Sequence, residues 1–217
     1  MESMVIFCAD IGSIPKQNFA WARGEVFGNN LKKIITGEDI NKLVDMAAQD
    51  INSNVVVAIG FECPLFIPIR NKPQQIGSAR VGRNGRNAEG SRSWSASAGA
   101  MVLATGIPQT FWILKEIYSR VKSKEVPAFM DWKEFVKAEK GIFLWEAFVT
   151  SHAKGESHQE DAKKAVQTFA EALPNIEENN AVHEIEVISL IGTVLVATGW
   201  SSNLSLLKKS CLVIKAK

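Results

Sequence analysis

The stretch that most limits what this chain can fold into is Val5–Ser13, VIFCADIGS. It is a short apolar run rich in β-branched and aromatic residues. It ends on a carboxylate, Asp10, and Gly12 and Ser13 then break the pattern. A run of this kind reads as a strand buried on both faces, in the middle of a mixed or parallel sheet. An aspartate at the end of such a strand is costly unless something compensates its charge. A turn, a hydrogen-bonded cap or an exposed edge would do so. So would a metal ion or a phosphate-handling site.

The neighbouring runs extend the sheet. Asn18–Ala22 (NFAWA) and Leu31–Ile35 (LKKII) follow through short links, so three strands read as an antiparallel meander. Glu38–Asn52 is helical, with Ile40, Leu43, Val44, Ala47 and Ile51 on one face. Val55–Glu62, VVVAIGFE, is a second buried strand that ends on an acid, and the small residues Ala58 and Gly60 leave room beneath Glu62. The strand–helix–strand order implies a parallel crossover that lays it beside the first strand.

Cys63–Arg92 differs in character. It holds three prolines and four glycines, and Arg70, Lys72, Arg80, Arg83, Arg86 and Arg92 stand there against a single acid, Glu89. So long a link without clear secondary structure is often functional. Ser93–Thr105 reads as one helix. Pro108 is placed for the first turn of another that continues through Lys122. Asp131 and Glu134 have capping-box spacing for a helix ending before Gly141. Ile142–Val149, IFLWEAFV, is a further buried strand carrying Glu146. Ser157 and Glu160 form a second capping box, opening a helix to Leu173 whose start puts His158 and Asp161 on one face. Glu184–Thr198 reads as a last helix with Ile185, Ile188 and Ile191 inside, and Leu212–Ile214 as a closing strand.

Composition adds bounds. The 217 residues suffice for one domain with a sizeable core, and 46% apolar with 22% charged residues is ordinary for a globular chain. A net charge of +2 does not announce a nucleic-acid binder, so local clustering must carry that argument. Three scattered cysteines, Cys8, Cys63 and Cys211, without zinc spacing suggest a reducing compartment. No apolar run reaches transmembrane length and no signal peptide precedes the first strand, so a cytoplasmic protein without a membrane association is expected.

Asp10, Glu62, His158 and Asp161 can converge at one end of such a sheet. Carboxylates with a histidine form a hard, oxygen-rich site suited to Mg²⁺ or Mn²⁺, and the arginine-rich link beginning after Glu62 would supply phosphate contacts. Each residue also has a plainer reading. A strand-end acid is usually a turn residue, His158 and Asp161 suit a helix start, Glu146 can pair with an arginine for structure, and a basic Gly/Pro loop is usually just solvated.

These motifs resemble the ribonuclease H-like superfamily, within it the RuvC-type resolvases and a family of uncharacterised predicted RNase H-like nucleases. ADIGS is similar to the first-strand motif, with Asp10 as the leading acid. AIGFECPLFIP resembles that family's strand ending in an acid before Pro-Leu, with Glu62 where the family more often has aspartate. FLWEAFV resembles its later strand with an embedded glutamate, Glu146. HQEDAKKA resembles the His-x-x-Asp-Ala helix start of resolvases. The resemblance implies an α/β fold: one ribonuclease H-like domain over residues 1–217, with a mixed five-stranded sheet of three antiparallel plus parallel strands flanked by helices, a basic loop at about 63–93 and a helical insertion at about 94–140. It also implies a nuclease in which Asp10, Glu62, His158 and Asp161 hold Mg²⁺ or Mn²⁺. Glu146 would orient water or a ligand, and Arg70, Arg80, Arg83, Arg86 and Arg92 would grip DNA or RNA. A homodimer is compatible with it. Two other readings stay open. One is a non-catalytic binding protein on the same scaffold. The other is a phosphotransferase of the actin-like ATPase or sugar-kinase kind, suggested by Asp10–Ser13, although those proteins need two such domains.

Overall fold

The computed structural model describes residues 3–90, 93–123, 125–149 and 153–216, so Arg92 lies outside the described residues. Strand β1 (Ser3–Asp10) pairs antiparallel with β2 (Ala20–Phe27), and β2 pairs antiparallel with β3 (Asn30–Gly37). Helix α1 (Ile40–Asn52), capped by the Asp39 side chain, returns the chain to β4 (Val57–Phe61), which lies parallel to β1. The meander and crossover are as expected, except that the second strand starts later than NFAWA.

The main sheet has seven strands, not five. Its order is β3-β2-β1-β4-β7-β6, where β7 is Ile142–Phe148 and β6 is Ala128–Phe129, and β9 (Val213–Lys215) also pairs with β7. β6 runs beside the start of β7 and β9 beside its end, so one strand carries both additions. Both are very short, which is why no run of alternating residues announced β6.

Two apolar cores lie on opposite faces. Val5, Phe7, Ala9, Ile59, Phe61, Leu144 and Val213 pack on one side with α1. That face also takes α2 (Ser97–Arg120) and α5 (Leu190–Ala197). Ile6, Cys8, Ala58, Phe143, Trp145 and Ile214 pack on the other with α3 (Trp132–Ala138) and α4 (His158–Glu171). The Asp131 and Ser157 side chains accept from the backbone N–H of Glu134 and Glu160, as the capping spacing predicts.

Four expectations are corrected. Ser93–Thr105 and Pro108–Lys122 are not separate helices, because α2 runs unbroken through Pro108. The proline ring is exposed, on the side where the lost backbone hydrogen bond is cheapest. By length and composition alone α2 would suffice to cross a membrane, against the expectation that no run is long enough. Its Ile113, Leu114 and Ile117 are buried in the first core. Glu184–Thr198 is not one helix. Val187–Ser189 form strand β8, antiparallel to β5 (Phe66–Pro68), and the Ser189 side chain caps α5 by accepting from Gly192 N–H. The spacing of Ile185, Ile188 and Ile191 imitated a helical stripe, yet Ile185 is 97% exposed. Finally, the 63–93 link is not featureless. It contributes β5 and a buried arginine, Arg80.

Candidate metal centre

Strand register decides which acids can meet. Ala9, Phe61, Glu146 and Val213 stand in one row across β1, β4, β7 and β9. Asp10 and Glu62 each come one residue later, and Glu62 N–H extends the ladder to Ala9 O at 2.8 Å. Side chains alternate between faces. Asp10 and Glu62 therefore point toward α4, while Glu146 points the other way.

On the α4 side the acids meet the start of that helix. His158 Nδ1 is hydrogen-bonded to Asp10 Oδ2 at 2.7 Å. Asp10, His158 and Asp161 each offer one ligand atom, and these atoms lie within 4.8 Å of one another. Opposite ligands of a magnesium ion, each at about 2.1 Å, are about 4.2 Å apart, so a small inward movement would close them on a cation. Glu62 lies beside Asp10, and each carboxyl shifts the titration of the other. Its Oε2 is buried without a donor. Two oxygens and a nitrogen, with a third carboxylate oxygen left unpaired, make a donor set that could hold a metal ion.

The electrostatics point the same way. Burial pushes the Asp10 carboxyl above its ordinary range, although hydrogen bonds from Glu62 and His158 pull it back. Burial and then the charge of Asp10 hold Glu62 well above its usual value. Two desolvated carboxyls side by side hold protons more tightly than free ones, and a cation placed between them would compete for the same charge.

Asp161, 3% exposed, already has partners. Its Oδ1 accepts from Gly155 N–H at 2.6 Å and its Oδ2 from Lys154 Nζ at 3.1 Å. Neither residue was singled out in the sequence. The available signal was their place directly before the Ser157 capping box, where a tight loop must lie. Gly155 suits that loop because a Cβ there would stand 2.5 Å from Glu160 Cβ.

The room expected beneath Glu62 is not open. The Trp145 indole lies over Gly60, so closely that a Cβ on Gly60 would collide with it. Beside Glu62 there remains a cleft of about 40 Å³, lined also by Pro64, Val102 and Phe148 and by the charged Arg80, Glu89 and Glu146. That space takes a few waters, not a nucleobase. Access to the acids is from the His158 side, where that imidazole is 44% exposed.

No protein-family model, curated protein or solved structure matches the chain. What this centre can do rests on its own atoms.

Several expected site residues lie elsewhere. Glu146 does not face the acids. Its Oε2 accepts from Leu65 N–H and Arg80 Nη1, and its Oε1 from Arg80 Nη2. Arg80 is not a surface grip: it is 1% exposed, spends its remaining donors on Glu89 Oε1 and Phe66 O, and lies over the Phe66 ring. Arg70 is held by both oxygens of Glu184, by Ser78 Oγ and by Ala79 O. Among the described residues of that expected set only Arg83 and Arg86 stand exposed, and with Lys215 they line a groove on the turn around Gly82–Ala88.

Proposed function

We propose that this protein is a divalent-metal-dependent nuclease with a ribonuclease H-like arrangement of its central strands. The observation that carries the reading is the convergence of Asp10, His158 and Asp161, with the orphaned Glu62 oxygen beside them. Supporting it, an antiparallel meander is followed by parallel β4 and β7, and the acids stand at the carboxyl ends of two adjacent parallel strands.

Asp10, Glu62, His158 and Asp161 would hold the cation, and the oxygen-dominated set suits Mg²⁺ or Mn²⁺. Such an ion, when bound, activates water and neutralises charge on a phosphodiester. The chain's own part is positional. The sheet fixes two carboxylates rigidly, and the helix start supplies the other two ligands together with its partial positive charge. Arg83, Arg86 and Lys215 would contact the sugar-phosphate backbone.

Calorimetric titration with Mn²⁺ or Mg²⁺ and cleavage of labelled DNA and RNA test the reading. Binding and cleavage are expected in the native chain, and both should disappear in Asp10→Asn and Asp161→Asn variants that retain the native circular dichroism. Cleavage that persists in both variants sinks it.

One observation favours a second reading, a non-catalytic nucleic-acid-binding member of the same fold. Lys154 already places a positive charge against Asp161. On that reading salt-sensitive nucleic-acid binding continues unchanged in a chelator, and no divalent ion binds.

A further inference from the structure

Three carboxyl groups, those of Asp10, Glu62 and Asp161, gather around the carboxyl ends of β1 and β4, and a lysine ammonium is paired with one of them. Lys154 Nζ stands 3.1 Å from Asp161 Oδ2, with its side chain 33% exposed. Its charge also acts on Asp10 and Glu62, opposing in small part the burial that raises both carboxyls. The other cation buried near this rim, Arg80, is fully committed to Glu89 and Glu146 on the opposite face.

We propose that Lys154 is a tethered counter-ion of the carboxylate cluster, which a divalent cation must displace in order to bind. The proposal rests on the reading of this cluster as a metal centre and adds how access to it is controlled. An ammonium and a divalent ion sharing the Asp161 carboxylate would be like charges within about 4 Å, in a pocket where water screens them poorly. One of them leaves. The lysine can go cheaply, because it is a point charge on a flexible four-carbon stem and a third of it is already in solvent. Its departure does not release Asp161, since Gly155 N–H keeps the other oxygen in place at 2.6 Å. The loop backbone therefore holds the ligand while the lysine side chain swings. Once displaced, the ammonium stays tethered at the rim, available to an anionic phosphate arriving at the loaded centre.

Calorimetric titration of the chelator-treated protein with Mn²⁺, paired with thermal melts in chelator and in saturating Mn²⁺, tests this. Lys154→Met is expected to bind Mn²⁺ at least fivefold more tightly than the native chain. It should melt lower than the native chain in chelator and recover most of that difference in Mn²⁺, whereas Lys154→Arg should stay within about twofold of native affinity. Should Lys154→Met not fold without metal, Lys154→Gln, which keeps a donor toward Asp161, serves for the titration and should also bind more tightly. Equal or weaker Mn²⁺ affinity in the neutral variants overturns the proposal and leaves the metal centre standing. Absence of binding in the native chain and in every variant overturns the proposal and the metal centre together.

Discussion

Glu146 and Arg80 meet through two parallel hydrogen bonds, Oε1 to Nη2 at 2.5 Å and Oε2 to Nη1 at 2.8 Å, and each side chain is about 1% exposed. The same carboxylate accepts from Leu65 N–H, and the same guanidinium reaches Glu89. The pair ties the 63–93 link to β7 from inside the molecule. Glu62 stands just before that link, so the pair also steadies the backbone from which a candidate ligand projects.

Removing one member of a buried pair leaves the other charged and unpaired, a loss of roughly 3–5 kcal/mol. Arg80→Met is therefore expected to destabilise the protein by about that amount in urea denaturation. Glu146→Gln should cost less, because the amide still accepts from Leu65 N–H, and it should leave Mn²⁺ affinity within about threefold of native. A large loss of Mn²⁺ affinity with unchanged stability would return Glu146 to the metal centre.

His158 holds Asp10 yet leaves its imidazole 44% exposed, so its contribution to folding is small. His158→Ala is expected to weaken divalent-ion binding by roughly 10–100-fold, the range typical for groups that orient or complete a metal site. The melting temperature in chelator should move by no more than a few degrees. A collapse of the fold in His158→Ala would mark the residue as structural.

Burial raises the Asp10 and Glu62 carboxyls above their unfolded values of about 4. A carboxyl raised on folding binds its proton more tightly in the native state. Without a cation, the stability it contributes is fully present below about pH 4 and is lost as pH rises toward the folded value. Divalent ions compete with those protons. The rise in melting temperature given by Mn²⁺ should thus be small at pH 5 and larger at pH 8. A shift that is equal at both pH values would place the metal on other residues.

Arg83 and Arg86 are the exposed arginines of the basic link among the described residues. If they contact phosphates, replacing both with alanine should weaken DNA or RNA binding without sequence preference. It should also reduce the slope of log affinity against log salt by about 2. The corresponding Arg70→Ala change removes a tie to Glu184 and is expected to act on stability instead. An unchanged slope in the double variant moves the nucleic-acid contact elsewhere.

The meander, the crossover and the helix caps at Asp131 and Ser157 were legible because each rests on local spacing. So were Asp10 and Glu62 as strand-end acids and His158 with Asp161 as a helix-start pair. For Glu146 the plainer reading, an arginine pair, was the right one; the choice between it and the acids turns on register, a property of strand pairing and not of its own neighbours. Arg80 looked like one more arginine in a basic loop, and only the fold brings Glu89 and Glu146 to it. Lys154 carried no signal beyond sitting before a cap. The isoleucines of 185–191 misled because a spacing of three fits both a helix face and a strand that turns into a helix at Ser189.

The row that aligns Ala9, Phe61, Glu146 and Val213 makes the two halves of this chemistry intolerant of odd-numbered length changes. Inserting one residue in β7 before Trp145 would move Trp145 into the Glu146 row and turn Glu146 to the other face. A fourth acid would then crowd the α4 face, and the guanidinium of Arg80 would be stranded against indole. Changes of two residues would preserve the alternation. Lineages descended from such a chain should accordingly vary β7 in even steps or leave its length alone.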